Sequence, residues 1–213
     1  MDSLENLLHE AIQHGLVEDV QELIAQGADV NNTSLLHAVQ LNMVSIAEIL
    51  LQHGADINCH KTFLQTPLHL AISKGQEMVE MLISNGAKIE AKDQGGMTPF
   101  HLAATFDQCL NLEILQRNGA NIEAQRIDGR TPLMLAVTYA GDKTVEMLIQ
   151  MGAKLDAKDG QGQTAMHVAS QNGQNIMELS FQLKISCLCS VCSNSSNEVS
   201  VIEKLCRRHY LFV

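Results

Sequence analysis

Residues 66–97 read "TPLHLAISKGQEMVEMLISNGAKIEAKDQGGM", and the order of signals in this stretch decides the fold. A threonine followed by a proline marks a helix start. The hydroxyl caps the first turn, and proline gives up an N–H that would have no helical partner at that position. The helix it opens is short and ends near Gly75. A second helix follows in "QEMVEMLISN", where Met78, Met81 and Leu82 recur at helical spacing. Gly86 stops that helix as a C-cap, and "AKIEAKDQGG" carries the turn residues of a hairpin-like finger before the next start signal.

The same string returns along the chain. Thr33, Thr66, Thr98, Thr131 and Thr164 are separated by 33, 32, 33 and 33 residues, and they open "TSLLHAV", "TPLHLAI", "TPFHLAA", "TPLMLAV" and "TAMHVAS". A Gly-Ala pair follows each of the first four, at Gly54, Gly86, Gly119 and Gly152, and a weaker copy runs from Asn6 to Gly27. A helix–turn–helix–finger unit of this period, with "TPLHLA" at Thr66 to Ala71 and "GA" at Gly86 and Ala87, resembles the ankyrin repeat.

The resemblance implies an all-α solenoid of about six stacked repeats, with fingers projecting to one side and the first helices lining a concave face. It divides the chain into a capping repeat over 1–32, repeats two to six over 33–180 with the last incomplete, and a divergent cysteine-rich tail over 181–213. It also implies a protein-binding scaffold or adaptor and no enzyme activity.

Stacking turns equal offsets in successive copies into columns, so their composition reports their surroundings. Five residues after the opening position stand Ala11, Ala38, Ala71, Ala103, Ala136 and Ala169, as a crowded contact requires. Two residues after it stand Leu8, Leu35, Leu68, Phe100, Leu133 and Met166, an apolar stripe that places Phe100 in the core. At offset seven, Gln13, Gln40, Ser73, Thr105, Thr138 and Gln171 are all polar and are expected to face solvent.

Offset eight holds His14, Leu41, Lys74, Phe106, Tyr139 and Asn172, too mixed for a core. In ankyrin repeats these last two offsets belong to the concave recognition surface, which makes Leu41, Lys74, Phe106 and Tyr139 expected partner contacts. Phe106 has a second reading, in which it folds back over Leu102 where Asp107 replaces the usual helix-ending glycine. The fingers add Phe63, Met97, Ile127 and Arg130 as candidate contacts.

Three departures stand out. Only 6 residues separate Gly27 from Thr33, so that junction has lost most of its finger. The first copy places Glu10, Asp19 and Glu22 where later copies are mainly apolar, which suits a cap with a wetted outer face. Met134 stands where other copies carry His69, His101 and His167, residues that the resemblance makes structural hydrogen-bonders, so the bond they make is expected to be missing there.

No constellation for catalysis emerges. His9 and His14 are five residues apart, about 140° around a helix, which spoils shared ligation. No Gly-rich phosphate loop, nucleophile elbow or paired carboxylates appear. In the tail, Cys189, Cys192, Cys206 and His209 have a CxxC-x13-CxxH spacing that suits one tetrahedral Zn²⁺. It lacks a glycine knuckle and has Cys187 as a competing ligand; lipidation of that cysteine cluster is another reading. A plain thiol-rich tail without cofactor is the expectation.

The bulk composition agrees with a folded, aromatic-poor helical protein: 213 residues, 46% apolar, 3% aromatic and no tryptophan. The net charge of −10 repels nucleic acid and favours a partner protein with a basic or mixed surface. Without a basic leader or a long apolar run, the chain is expected to be cytoplasmic or nuclear, with no membrane span. Oligomeric state is left open. Two other functions remain: a substrate-recognition adaptor of a ubiquitin ligase, because "VIEKLCRR" at 201–208 is similar to the opening of a SOCS box without its proline-bearing remainder, or a piece of a larger enzyme, channel or toxin.

Overall fold

The computed structural model describes residues 3–172. Among them run eleven α-helices: α1 (Leu4–His14), α2 (Val17–Ala25), α3 (Asn32–Gln40), α4 (Val44–Gln52), α5 (Pro67–Ala71), α6 (Gln76–Ser84), α7 (Pro99–Thr105), α8 (Cys109–Arg117), α9 (Pro132–Tyr139), α10 (Asp142–Gln150) and α11 (Ala165–Gln171). Odd-numbered helices pack consecutively on one another, and α2 to α10 form a second such row behind them. The proposed tail ligands Cys189, Cys192, Cys206 and His209, and the tail itself, lie outside the described residues.

Packing follows the columns. Ala11, Ala38, Ala71, Ala103, Ala136 and Ala169 are all buried, and their small size lets consecutive odd helices approach closely. Phe100 is fully buried beside the equivalent Leu35, Leu68 and Leu133, each contributing about 1.5–3 kcal/mol by leaving water. Glu10, Asp19 and Glu22 are exposed.

Thr66, Thr98, Thr131 and Thr164 are N-caps with extended backbone, followed in the first three by proline. Thr33 is not. There α3 begins at Asn32, and Asn31 caps it by accepting a 3.0 Å bond from the Ser34 amide. With only a short connection from α2, the helix can start earlier, and the weaker first copy likewise starts at Leu4, capped by Ser3, and not at Asn6. Offset seven also departs from expectation: Thr105 and Thr138 are half-buried, their hydroxyls donating to the carbonyls of His101 and Met134 at 2.8 Å. A threonine can satisfy its own polar group this way and tolerate partial burial.

The buried histidines tie each cap to the next finger. The Thr98 amide donates to His101 Nδ1 at 3.2 Å, and an amide can only donate, so Nδ1 is the unprotonated nitrogen. Nε2–H therefore donates to the Arg130 carbonyl at 3.3 Å. His69 repeats the arrangement between Thr66 and the Met97 carbonyl at 3.0 Å. Burial pushes both imidazoles below their ordinary value, His101 to about 4. At Met134 the bond is absent, and the buried Thr131 hydroxyl has no partner among the described residues.

Candidate functional site

Offset eight forms a row at the C-terminal ends of the odd helices. Leu41 caps α3, Phe106 caps α7 and Tyr139 ends α9; they are 40%, 54% and 63% exposed. Lys74 and Asn172 are exposed in the same register. Asp107 adopts the left-handed backbone at φ 57, as Gly15 does at φ 70 in the first copy. Asp107 also accepts a hydrogen bond from Thr144 Oγ1, which anchors this turn to α10. Rigid aromatic side chains in this state lose little entropy when covered and bury about 150–250 Å² each.

The fingers form the second candidate surface, and main-chain bonds join them. The amides of Gln94, Ile127 and Gly160 donate to the carbonyls of Phe63, Gly95 and Asp128 at 2.8, 3.2 and 2.8 Å. Within a finger, Asp93 Oδ1 accepts from the Gly95 and Met97 amides at 2.8 Å, and Asp159 Oδ1 does the same for Gln161 and Gln163. Such carboxylate-to-amide bonds fix a tight turn. Close approach also selects glycine: a Cβ on Gly129, at φ 80, would sit 2.5 Å from the Gly160 amide nitrogen.

The finger residues named from sequence do not all stand outward. Phe63 and Ile127 are 69% and 77% exposed. Met97 is half-buried, with its carbonyl bound by His69. Arg130 is also partly buried, its Nε 3.7 Å from Asp128 and 4.0 Å from Asp159. Sequence columns overlooked Leu64, which is 51% exposed and holds φ 57 at the position occupied by Gly96, Gly129 and Gly162 in the later fingers. Phe63 beside it has φ 64. Left-handed backbone costs an ordinary side chain about 1–2 kcal/mol, so this tip displays its Phe-Leu pair against a local penalty. The Leu-for-Gly exchange was visible by aligning the fingers.

No group of three or more His, Cys, Asp or Glu side chains able to hold a metal occurs among the described residues, and no helix there is long and apolar enough to cross a membrane. Of the described cysteines, Cys59 and Cys109 are buried, and burial pushes the Cys59 thiol up to about 11.

A family model described as ankyrin repeats (3 copies) matches residues 8–93, 35–126 and 100–187. Among curated proteins, the human Cyclin-dependent kinase 4 inhibitor B is 39% identical over 74 residues, which is 32% of this chain and 54% of that protein. The mouse B-cell lymphoma 3 protein homolog is 33% identical over 75 residues, 32% of this chain and 17% of its own. The human 2-5A-dependent ribonuclease is 40% identical over 77 residues, 33% of this chain and 10% of its own. The matches therefore span about half or less of these relatives. Helix pairs stacked in register, fingers linked tip to tip, histidine-bridged caps and a family match running from residue 8 to 187 together make one conclusion: the chain belongs to the ankyrin-repeat family.

Proposed function

We propose that this chain is a non-enzymatic protein-binding module whose offset-eight row and finger tips dock a partner protein. The observation that carries the reading is the row itself: Leu41, Phe106 and Tyr139 stand 40%, 54% and 63% exposed at equivalent ends of three stacked helices. A rigid scaffold lets such anchors bind with little ordering entropy, so a few side chains dominate affinity. Lys74, Phe63, Ile127, Met97 and Arg130 complete the surface, the last two through their partly exposed edges. Against a net charge of −10, the favoured partner presents a basic or mixed face, and the expected compartment is cytoplasmic or nuclear.

The test is a Phe106→Ala, Tyr139→Ala double variant compared with wild type by pull-down and thermal unfolding. Both rings are more than half exposed, so stability should fall by no more than about 1 kcal/mol. Loss of partners at nearly unchanged stability supports the reading. Retained partners with a large loss of stability would instead assign the rings to the scaffold.

A further inference from the structure

The connection between α2 and α3 has no finger, and the groups that a finger would have satisfied are left open. In the later copies each tip amide, from Gln94, Ile127 and Gly160, donates to the carbonyl of the preceding tip. The equivalent amide in the first finger belongs to Thr62, and it has no partner among the described residues. The histidine column shows the same gap. His69 and His101 donate from Nε2 to carbonyls of the following finger, Met97 and Arg130. His9 occupies that register in the first copy, but α2 is followed by α3 after only residues 26–31, with no finger carbonyl for it.

His9 instead stacks flat on His37, ring centroids 4.1 Å apart, and makes no hydrogen bond among the described residues. His37 Nδ1 is buried and unpartnered there as well. Lys61 lies close enough for its charge, with that of His9 and behind the larger effect of burial, to hold the His37 imidazole below its ordinary value. Lys61 is exposed and makes no ion pair among the described residues. Next to it, Phe63 and Leu64 are displayed in left-handed backbone.

The notch thus brings the Thr62 N–H, the His9 imidazole and the Lys61 cation beside an apolar tip, with no carboxylate paired to Lys61 among the described residues. We propose that the notch receives an extended acidic peptide segment of a partner protein, which takes the place of the missing finger. Its backbone carbonyls accept from Thr62 N–H and from His9 in its Nε2–H tautomer, a carboxylate pairs with Lys61, and an apolar side chain covers Phe63 and Leu64. This extends the strip of tip-to-tip main-chain bonds by one unit, as strand addition does at a sheet edge. The site is separate from the offset-eight row but shares Phe63 with the finger-tip surface, so it rests on the protein-binding reading and deepens it.

The experiment pans a phage-displayed random dodecapeptide library on the full chain and measures the selected peptides by fluorescence anisotropy. Selected sequences should be enriched in Asp or Glu beside an apolar residue. Lys61→Glu should weaken them about tenfold or more, while Lys61→Arg keeps the affinity, because a desolvated charge pair is reversed in one and retained in the other. Thr62 amide hydrogen exchange should slow in the complex. Phe106→Ala, Tyr139→Ala should leave these peptides bound, and thermal unfolding of Lys61→Glu should match wild type because Lys61 is exposed. The proposal is overturned if no peptide is selected, if the selected peptides lack acidic residues, or if they bind Lys61→Glu as well as wild type. It is also overturned if binding instead requires Phe106 and Tyr139, and that result would leave the offset-eight reading standing.

Discussion

Replacing His101 by Met copies into the fourth repeat what the fifth carries naturally at Met134. The ring is fully buried, and its removal strands the Thr98 amide, bound at 3.2 Å, and takes one partner each from the Thr98 hydroxyl at 2.9 Å and the Arg130 carbonyl at 3.3 Å, which keep only the amides of residue 101 and Arg126. Unsatisfied buried groups cost about 1–3 kcal/mol each, while methionine restores much of the apolar burial, so a net loss of about 2–3 kcal/mol at pH 7 is expected. The pH response gives the sharper result. Burial lowers His101 in the folded state from 6.5 to about 4, so the unfolded chain binds its proton more readily. The neutral ring therefore contributes stability that is fully present above pH 6.5 and is lost as pH falls toward 4. The difference of about 2.5 units corresponds to about 3 kcal/mol. The His101→Met chain lacks this share, whereas His69 is common to both proteins and cancels. Urea unfolding followed by circular dichroism at pH 7 and pH 4 should show the gap between variant and wild type closing in acid. A gap that stays constant or widens would refute the neutral, buried assignment of this ring.

Other consequences are equally direct. Gly129→Ala forces a Cβ against the Gly160 amide and strains φ 80, so it should destabilise by about 2 kcal/mol. Gly119→Ala, at φ 91 with nothing within 4 Å, should cost only the conformational part, about 1 kcal/mol, and urea titrations of the two should differ accordingly. Ala103→Leu overfills a fully buried position on α7 and should lower stability by about 1–3 kcal/mol in the same assay. Cys59, with its thiol held near 11, should resist iodoacetamide at pH 7.5 in the native protein and react in urea; peptide mass spectrometry reads that site apart from the other cysteines.

The period was legible because each stacking contact is made several times, so a column of six alanines or a Leu-to-Phe exchange at 100 betrays its surroundings without coordinates. That comparison also separated Phe100 from Phe106, neighbours in sequence with opposite burial. What escaped were the local solutions made only once. Asn31 took the cap from Thr33 because the shortened connection removed the geometry that places Thr elsewhere. Thr105 and Thr138 sit half-buried because each hydroxyl bonds its own helix, a choice invisible in polarity alone. The Asp107–Thr144 bond joins residues 37 apart in one repeat pair and has no counterpart to align. Finger orientation was the least legible: Met97 and Arg130 belong to the same fingers as the exposed tips, yet a buried histidine on the Met97 carbonyl and two carboxylates beside Arg130 hold them partly inward.

Main-chain atoms alone make the tip-to-tip links at Gln94, Ile127 and Gly160, and this separates two demands that most surfaces must reconcile. Side chains at 94 and 127 can change identity without removing a group from the bonds that hold adjacent fingers in line, whereas at Gly160 a Cβ would come within 2.9 Å of the Asp128 carbonyl oxygen. Selection, natural or in the laboratory, can therefore rewrite the specificity of this edge one letter at a time, while the ruler that spaces those letters stays fixed.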